Sequence, residues 1–283
     1  MSYSLILNNT NNIGANNNTF QYNFKGGSFQ IPDNSEISIS NIQIPYSWYN
    51  VASYYNNQTF QITFPNTATN TYTITLTQGF YAITDVNAFI QQFCIANNLY
   101  LIDGNGNYVY YINLSYNVAT YKIQLLLFNV PTALPTNYTA PAGWAGYPAS
   151  TQTPTFIVLN NSFRTLIGFD IGTFPPTGES ATSVSFLSTS TPLGSNVNSL
   201  IVRCSLVDNQ VCMPSDILDS IPINNVSYGS NINYSPNFSK WIKCKKGNFS
   251  NLVVVFNDQN MQMLYALDSN VLINLLIRTK SPK

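Results

Sequence analysis

Alternation of period two dominates the chain. Phe20, Tyr22 and Phe24 share one face of "FQYNF"; Phe60, Ile62 and Phe64 do so in "FQITF", and Tyr72, Ile74 and Leu76 in "YTITL". Apolar residues two apart line one face of a strand, so these segments predict half-buried antiparallel strands. Four later runs are apolar on both faces and predict central strands of packed sheets: "KIQLLLF" at 122–128, "LIVRCSLV" at 200–207, "NLVVVF" at 251–256 and "VLINLLI" at 271–277. "VVVFNDQNMQML" predicts a hairpin with a polar turn at Asn257 to Asn260, and "DGNGN" at 103–107 predicts another turn. Gly26-Gly27 sits between strand-like runs and predicts a turn.

Helical periodicity is rare. In "YAITDVNAFIQQFCIANN", Val86, Phe89, Ile90, Phe93 and Cys94 form an i, i+3, i+4, i+7, i+8 stripe. The pattern predicts a helix over about 84–96, capped by Thr84, with Asp85 in the positive first turn. A shorter helix is expected in "NSFRTLIGF", capped by Ser162 and ended by Gly168. The segment 129–155 is rich in Pro, Gly, Ala and Thr and excludes a helix or a central strand; a second such stretch covers 172–196. The expected class is therefore all-β: an antiparallel jelly-roll sandwich with one short amphipathic helix and long inserted loops. The expected organisation is one domain over 1–283, elaborated at about 80–196.

One irregularity stands out. In "EISISNIQIP" the apolar positions are Ile37 and Ile39, then Ile42 and Ile44, so the parity slips by one at Ser40-Asn41. An extra residue of this kind is a β-bulge, or a point where a strand changes the face it buries. Pro45 has no amide hydrogen for a ladder, so the strand should leave its sheet at the aromatic stretch "PYSWYNVASYY".

Composition changes the functional picture. Only 8% of the 283 residues are charged, the net charge is zero, and 40 residues are Asn; about 25% charge is usual. A neutral polar exterior repels its own copies weakly, which favours association; a bias toward AT-rich codons would leave the same composition. The balance argues against a specific nucleic-acid partner. The basic cluster Lys240, Lys243, Lys245 and Lys246 is either a solvated edge or a contact for an acidic surface, such as an inner membrane. There is no histidine, so His-based nucleophilic catalysis and most zinc, copper and haem sites lack their ligand. The acidic residues are scattered and no phosphate-binding glycine loop occurs, so neither an enzyme nor a cofactor is expected. Cys94, Cys204, Cys212 and Cys244 form no CxxC pair and read as reduced core residues. With no signal-like leader and no apolar run near ~18 residues, the chain reads as one made in the cytoplasm.

Several segments, in order, resemble the penton-type minor capsid proteins of double-jelly-roll DNA viruses (virophages, Polinton-like viruses and large nucleocytoplasmic viruses). They are "MSYSLILNN", "FQIPDNSEISISNIQIPYSWYN", "TYTITLTQGFYAITDVNAFIQQF", "FRTLIGF", "NSLIVRCSLVDN" and "NLVVVFNDQNMQMLYALDSNVLINLLIRTK". The loop 129–155 falls outside the resemblance. The resemblance implies a virion protein without enzyme activity, whose jelly roll self-associates as a homopentamer around a capsid fivefold axis. It also implies contacts with the major capsid protein and other minor capsid proteins. A non-vertex cement protein under the shell, or a carbohydrate-binding attachment sandwich, are the alternatives. Tyr46, Trp48, Tyr49, Tyr54, Tyr55, Trp144 and Tyr147 are the expected interface residues, with core packing as the competing role for each.

Overall fold

A computed structural model describes residues 2–67, 70–223 and 225–280. The fold is all-β, with antiparallel sheets and two short α-helices among the described residues. The chain divides into two compact units, Met1–Trp48 with Val197–Lys283, and Tyr49–Asn196. The second unit is thus inserted in sequence into the first.

Eight principal strands build the first unit: β1 (Ser2–Leu7), β2 (Thr19–Asn23), β3 (Ser35–Pro45), β4 (Ser199–Cys204), β5 (Ile217–Pro222), β6 (Asn231–Tyr234), β7 (Asn251–Asp258) and β8 (Leu272–Thr279). One sheet has the order β1-β8-β3-β6, with Ile242–Lys243 also on β3; the other has the order β5-β4-β7-β2. First pairs with last, second with seventh, third with sixth and fourth with fifth, all antiparallel. That is one long hairpin wrapped on itself, the topology of a jelly roll. The inserted unit lies between β3 and β4.

Alternation explains the core. Ile37, Ile39, Ile42 and Ile44 of β3 and Ile273, Leu275 and Ile277 of β8 are buried, as are Val202 of β4 and Leu252, Val254 and Phe256 of β7. Each such side chain contributes roughly 1.5–3 kcal/mol by leaving water. The parity slip is a bulge: Asn274 faces Asn41 and Leu275 faces Ile39, so Ser40 is the extra residue. Ser40 is exposed while Ile39 and Ile42 on either side of it are buried, so the bulge keeps all four isoleucines on the core face. The runs at 200–207, 251–256 and 271–277 do supply inner strands, each with neighbours on both sides.

The inserted unit has its own core. One sheet has the order Gly172–Phe174, Thr155–Val158, Thr59–Phe64, Asn70–Thr75; the other has Val184–Leu187, Lys122–Leu127, Ile112–Asn117. Phe60, Ile62 and Phe64 from the first sheet and Ile123, Leu125 and Leu127 from the second share a single buried cluster. Helix α1 (Ile83–Ala96) adds Val86, Ile90 and Cys94 to it, the inner part of the expected stripe.

Three local expectations need correction. Helix α1 begins one residue early: Ala82 is its N-cap, and Asp85 reaches back to accept the Ala82 N–H at 2.8 Å. Helix α2 (Asn161–Ile167) is capped by Asn160, whose side chain accepts the Phe163 N–H at 2.8 Å, and not by Ser162. Asn160 reaches the N3 amide, where an N-cap oxygen belongs; Ser162 is already inside the first turn. Gly168 ends α2 as expected, in the left-handed region with φ 74°. Finally, the turn after β7 closes on one bridge, Asn257 with Met263, and β8 then joins the opposite sheet. Asp258 holds that turn by accepting the Asn260 and Gln262 amides, so it is a corner of the roll rather than a hairpin.

Candidate functional site

The stretch after Pro45 divides into a buried and an accessible part. β3 ends at Pro45, opposite Asn231. The next residues stay tied to the roll: Tyr46 N–H donates to Ser230 O and Gly229 N–H to Tyr46 O, both at 2.9 Å. The Tyr46 ring lies 4.6 Å from Trp48 and 5.8 Å, edge-on, from Tyr228. Tyr46 is 4% and Trp48 1% exposed, so these two rings fill the corner where β3 leaves its sheet. Tyr49 is half-buried, and the 3₁₀ turn Ser53–Tyr55 presents Tyr54 at the surface, 4.5 Å from the half-buried Tyr55. Only the Tyr54 end of this stretch offers a ring to solvent.

Trp144 and Tyr147 sit elsewhere, in the Pro-rich loop of the inserted unit. Trp144 packs edge-on against Phe64 at 5.9 Å and Tyr147 lies 5.6 Å from Trp144. Trp144 is therefore an anchor that pins the loop onto the unit's core. Val130 and Gln152 bridge the two ends of the loop, which explains why so long a segment without regular structure holds one course.

Three asparagines that the sequence does not distinguish, Asn50, Asn57 and Asn196, prove central. Asn50, 1% exposed, donates from its side-chain amide to Tyr81 O (2.9 Å) and Gly194 O (3.0 Å), and its carbonyl oxygen accepts Tyr81 N–H at 2.8 Å. Its own backbone oxygen accepts from the side chains of Asn57 (2.7 Å) and Asn196 (3.1 Å). Asparagine side chains thus staple Asn50, near the start of the inserted unit, to Gly194 and Asn196 at its end. In a chain with 40 Asn no composition signal could single these out.

The lysine cluster is largely engaged within the roll. Lys240 donates to Asp219 at 2.8 Å, and this hydrogen bond raises its pKa; Asp219 also accepts from Tyr234 at 2.6 Å, and burial followed by that bond raises the Tyr234 pKa. Lys243 lies 3.5 Å from Asp33, Lys245 donates to Ser205 O at 2.9 Å, and Lys246 is exposed. Burial pushes the thiols of Cys94, Cys204 and Cys244 up to about 12, where they are protonated and inert at neutral pH. No group of three or more His, Cys, Asp or Glu side chains among the described residues is arranged to hold a metal ion. No helix among them is long and apolar enough to cross a membrane.

The fold and surface define an all-β jelly-roll protein with a second β unit inserted between the third and fourth strands of the roll. Among solved structures, the chain is similar to the mavirus penton protein, at 11% identity and a TM-score of 0.44, over 99% of this chain and 100% of that one. It is also similar to a chain of the Sputnik virophage structure, at 11% identity and a TM-score of 0.40, over 98% of this chain and 96% of that one. No protein-family model matches the sequence, and no curated protein matches it.

Proposed function

We propose that this chain is a structural virion protein: a jelly-roll minor capsid subunit, most specifically the pentameric vertex subunit that meets the major capsid protein. The observation that carries the reading is the strand order of the roll, β1-β8-β3-β6 against β5-β4-β7-β2. Jelly rolls of this kind build viral capsids and lectins, and the ordered sequence segments that resemble penton-type proteins favour the former. Near-zero net charge supports a subunit that spends its life packed against others. Strand β1 supports it further. This edge strand, "SYSLIL", pairs among the described residues with β8 alone and carries no charge, proline or bulge, the devices that usually keep an edge from pairing. Ile6 on it is 56% exposed. We assign self-association to this edge and to the Tyr49, Tyr54 and Tyr55 turn, with Tyr147 a further contact. The lysine cluster, through Lys246 above all, is the part of the roll suited to an acidic surface.

Light scattering of the purified chain, alone and with the major capsid protein, tests the reading. A mass five times the 31.5 kDa subunit is expected, reduced to the monomer by Ile6→Lys. A strict monomer that is also absent from purified particles overturns it.

A further inference from the structure

The inserted unit carries a second surface that capsid assembly does not explain. Asp85, Asp103, Lys122, Arg164, Asp170 and Glu179 are its six charged residues between Tyr49 and Asn196, and Arg164 is paired with Asp170 at 2.7 Å. On this nearly neutral surface the short strands Leu101–Ile102 and Tyr108–Val109 form a hairpin, with Ile102 opposite Tyr108. A third segment joins through Thr139, which exchanges backbone hydrogen bonds with Ile102 at 2.8 and 2.9 Å. Residues directly across a ladder share a face, and so do residues two apart. Tyr100, Ile102, Tyr108, Tyr110 and Thr139 therefore stand on one side of this small sheet.

The three tyrosines form a cluster. Tyr100 is 4.6 Å from Tyr108 and 6.4 Å from Tyr110, and Tyr108 is 6.4 Å from Tyr110. Tyr100 is buried and Tyr110 half-buried, so they brace Tyr108, which is 48% exposed. At the end of the same hairpin, where the turn runs from Ile102 back to Tyr108, lies a depression of about 700 Å³ between the turn Asp103–Asn105 and the loop Thr136–Thr139. Its floor is rigid. Asp103 accepts the Asn105 and Asn107 amides at 2.9 Å each, and these bonds with Asn107, foremost, lower its pKa. The carboxylate is thereby spent on the turn. The rim beside it carries the exposed side chains of Asn105, Thr136 and Asn137, two amides and a hydroxyl.

We infer that this depression and the Tyr108 ring form a binding site for a neutral glycan. A hexose offers an apolar face of C–H bonds that stacks on an aromatic ring, and a rim of hydroxyls that amides satisfy as both donors and acceptors. A braced tyrosine next to uncharged amides matches both at once. An anionic ligand would find no counter-ion among the lining residues and would face the Asp103 carboxylate instead, and an apolar one would leave the amides unsatisfied. The inference does not rest on the capsid reading, since it concerns only the inserted unit.

The test uses the full chain on an array of neutral hexose and N-acetylhexosamine oligosaccharides, with sialylated and sulfated glycans alongside, then titration calorimetry with the best ligand. Retention of neutral oligosaccharides is expected. Tyr108→Ala should weaken binding at least about tenfold. Asn137→Gly should weaken it too while keeping the left-handed backbone at φ 63°. Asn137 is on the surface, so the Asn137→Gly melting temperature should match the wild type, while Tyr108→Ala, which loses its ring contacts with Tyr100 and Tyr110, is expected to melt somewhat lower but still cooperatively, which shows it folded. No neutral glycan retained, binding restricted to charged glycans, or unchanged binding by both folded variants overturns the proposal.

Discussion

Replacing Asn50 with alanine tests whether amides staple the inserted unit. The substitution deletes three side-chain hydrogen bonds, to Tyr81 O, Gly194 O and Tyr81 N–H. A net intramolecular hydrogen bond is worth about 0.5–1.5 kcal/mol. Gly194 is exposed, so its oxygen recovers a partner in water, whereas the two Tyr81 groups face a half-buried site. The expected loss is therefore about 3 kcal/mol, or roughly 6–12 °C in melting temperature at 2–4 °C per kcal/mol. Calorimetry reads the stability, and hydrogen exchange at the Tyr81 amide reads the staple itself, since that N–H loses its acceptor. Asn50→Asp sharpens the test. It keeps the shape and the acceptor for Tyr81 N–H but turns two donors into an anion facing two carbonyl oxygens. Burial would raise the pKa of such an acid above its unfolded value, so the variant should be weakest at neutral pH and recover as pH falls. A shift under about 2 °C for Asn50→Ala, with Tyr81 exchange unchanged, refutes the staple.

Three further outcomes follow from the same geometry. Deleting Ser40 removes the bulge residue and turns Ile42 and Ile44 to the solvent face; circular dichroism should show no cooperative unfolding, while Ser40→Ala melts like the wild type. Burial would raise the Glu36 pKa, but hydrogen bonds from Lys280 and Arg278 outweigh it and leave it lowered. The stability this carboxylate adds is thus present above its unfolded pKa of about 4.3 and lost as pH falls through the lower folded value. The melting-temperature gap between wild type and Arg278→Ala should accordingly shrink below about pH 4. Under native conditions a thiol reagent at pH 8 should modify Cys212, which is half-buried, well before Cys94, Cys204 and Cys244, whose thiols burial holds near 12; peptide mass analysis would show equal labelling if that burial is wrong.

Sequence by itself determined the features that depend on which way neighbouring residues point. Alternation marked Phe60, Ile62 and Phe64 as one buried face, the parity slip marked the bulge at Ser40, and the stripe Val86, Ile90, Cys94 marked helix α1. These patterns are local, because side-chain direction repeats every two residues in a strand and every 3.6 in a helix. Only the tertiary structure decided the partners. β8 pairs with β1 and β3, more than 200 residues away in the chain, and not with β7 that precedes it, because closing the roll buries both apolar faces of the sheets. The same holds for the aromatics. Trp48 and Tyr54 are equally plausible in sequence as core or surface; one fills the corner at the end of β3 and the other stands on a turn. Asn50 is the sharpest case: its burial follows from residues 81 and 194 arriving beside it, a convergence that no local pattern records.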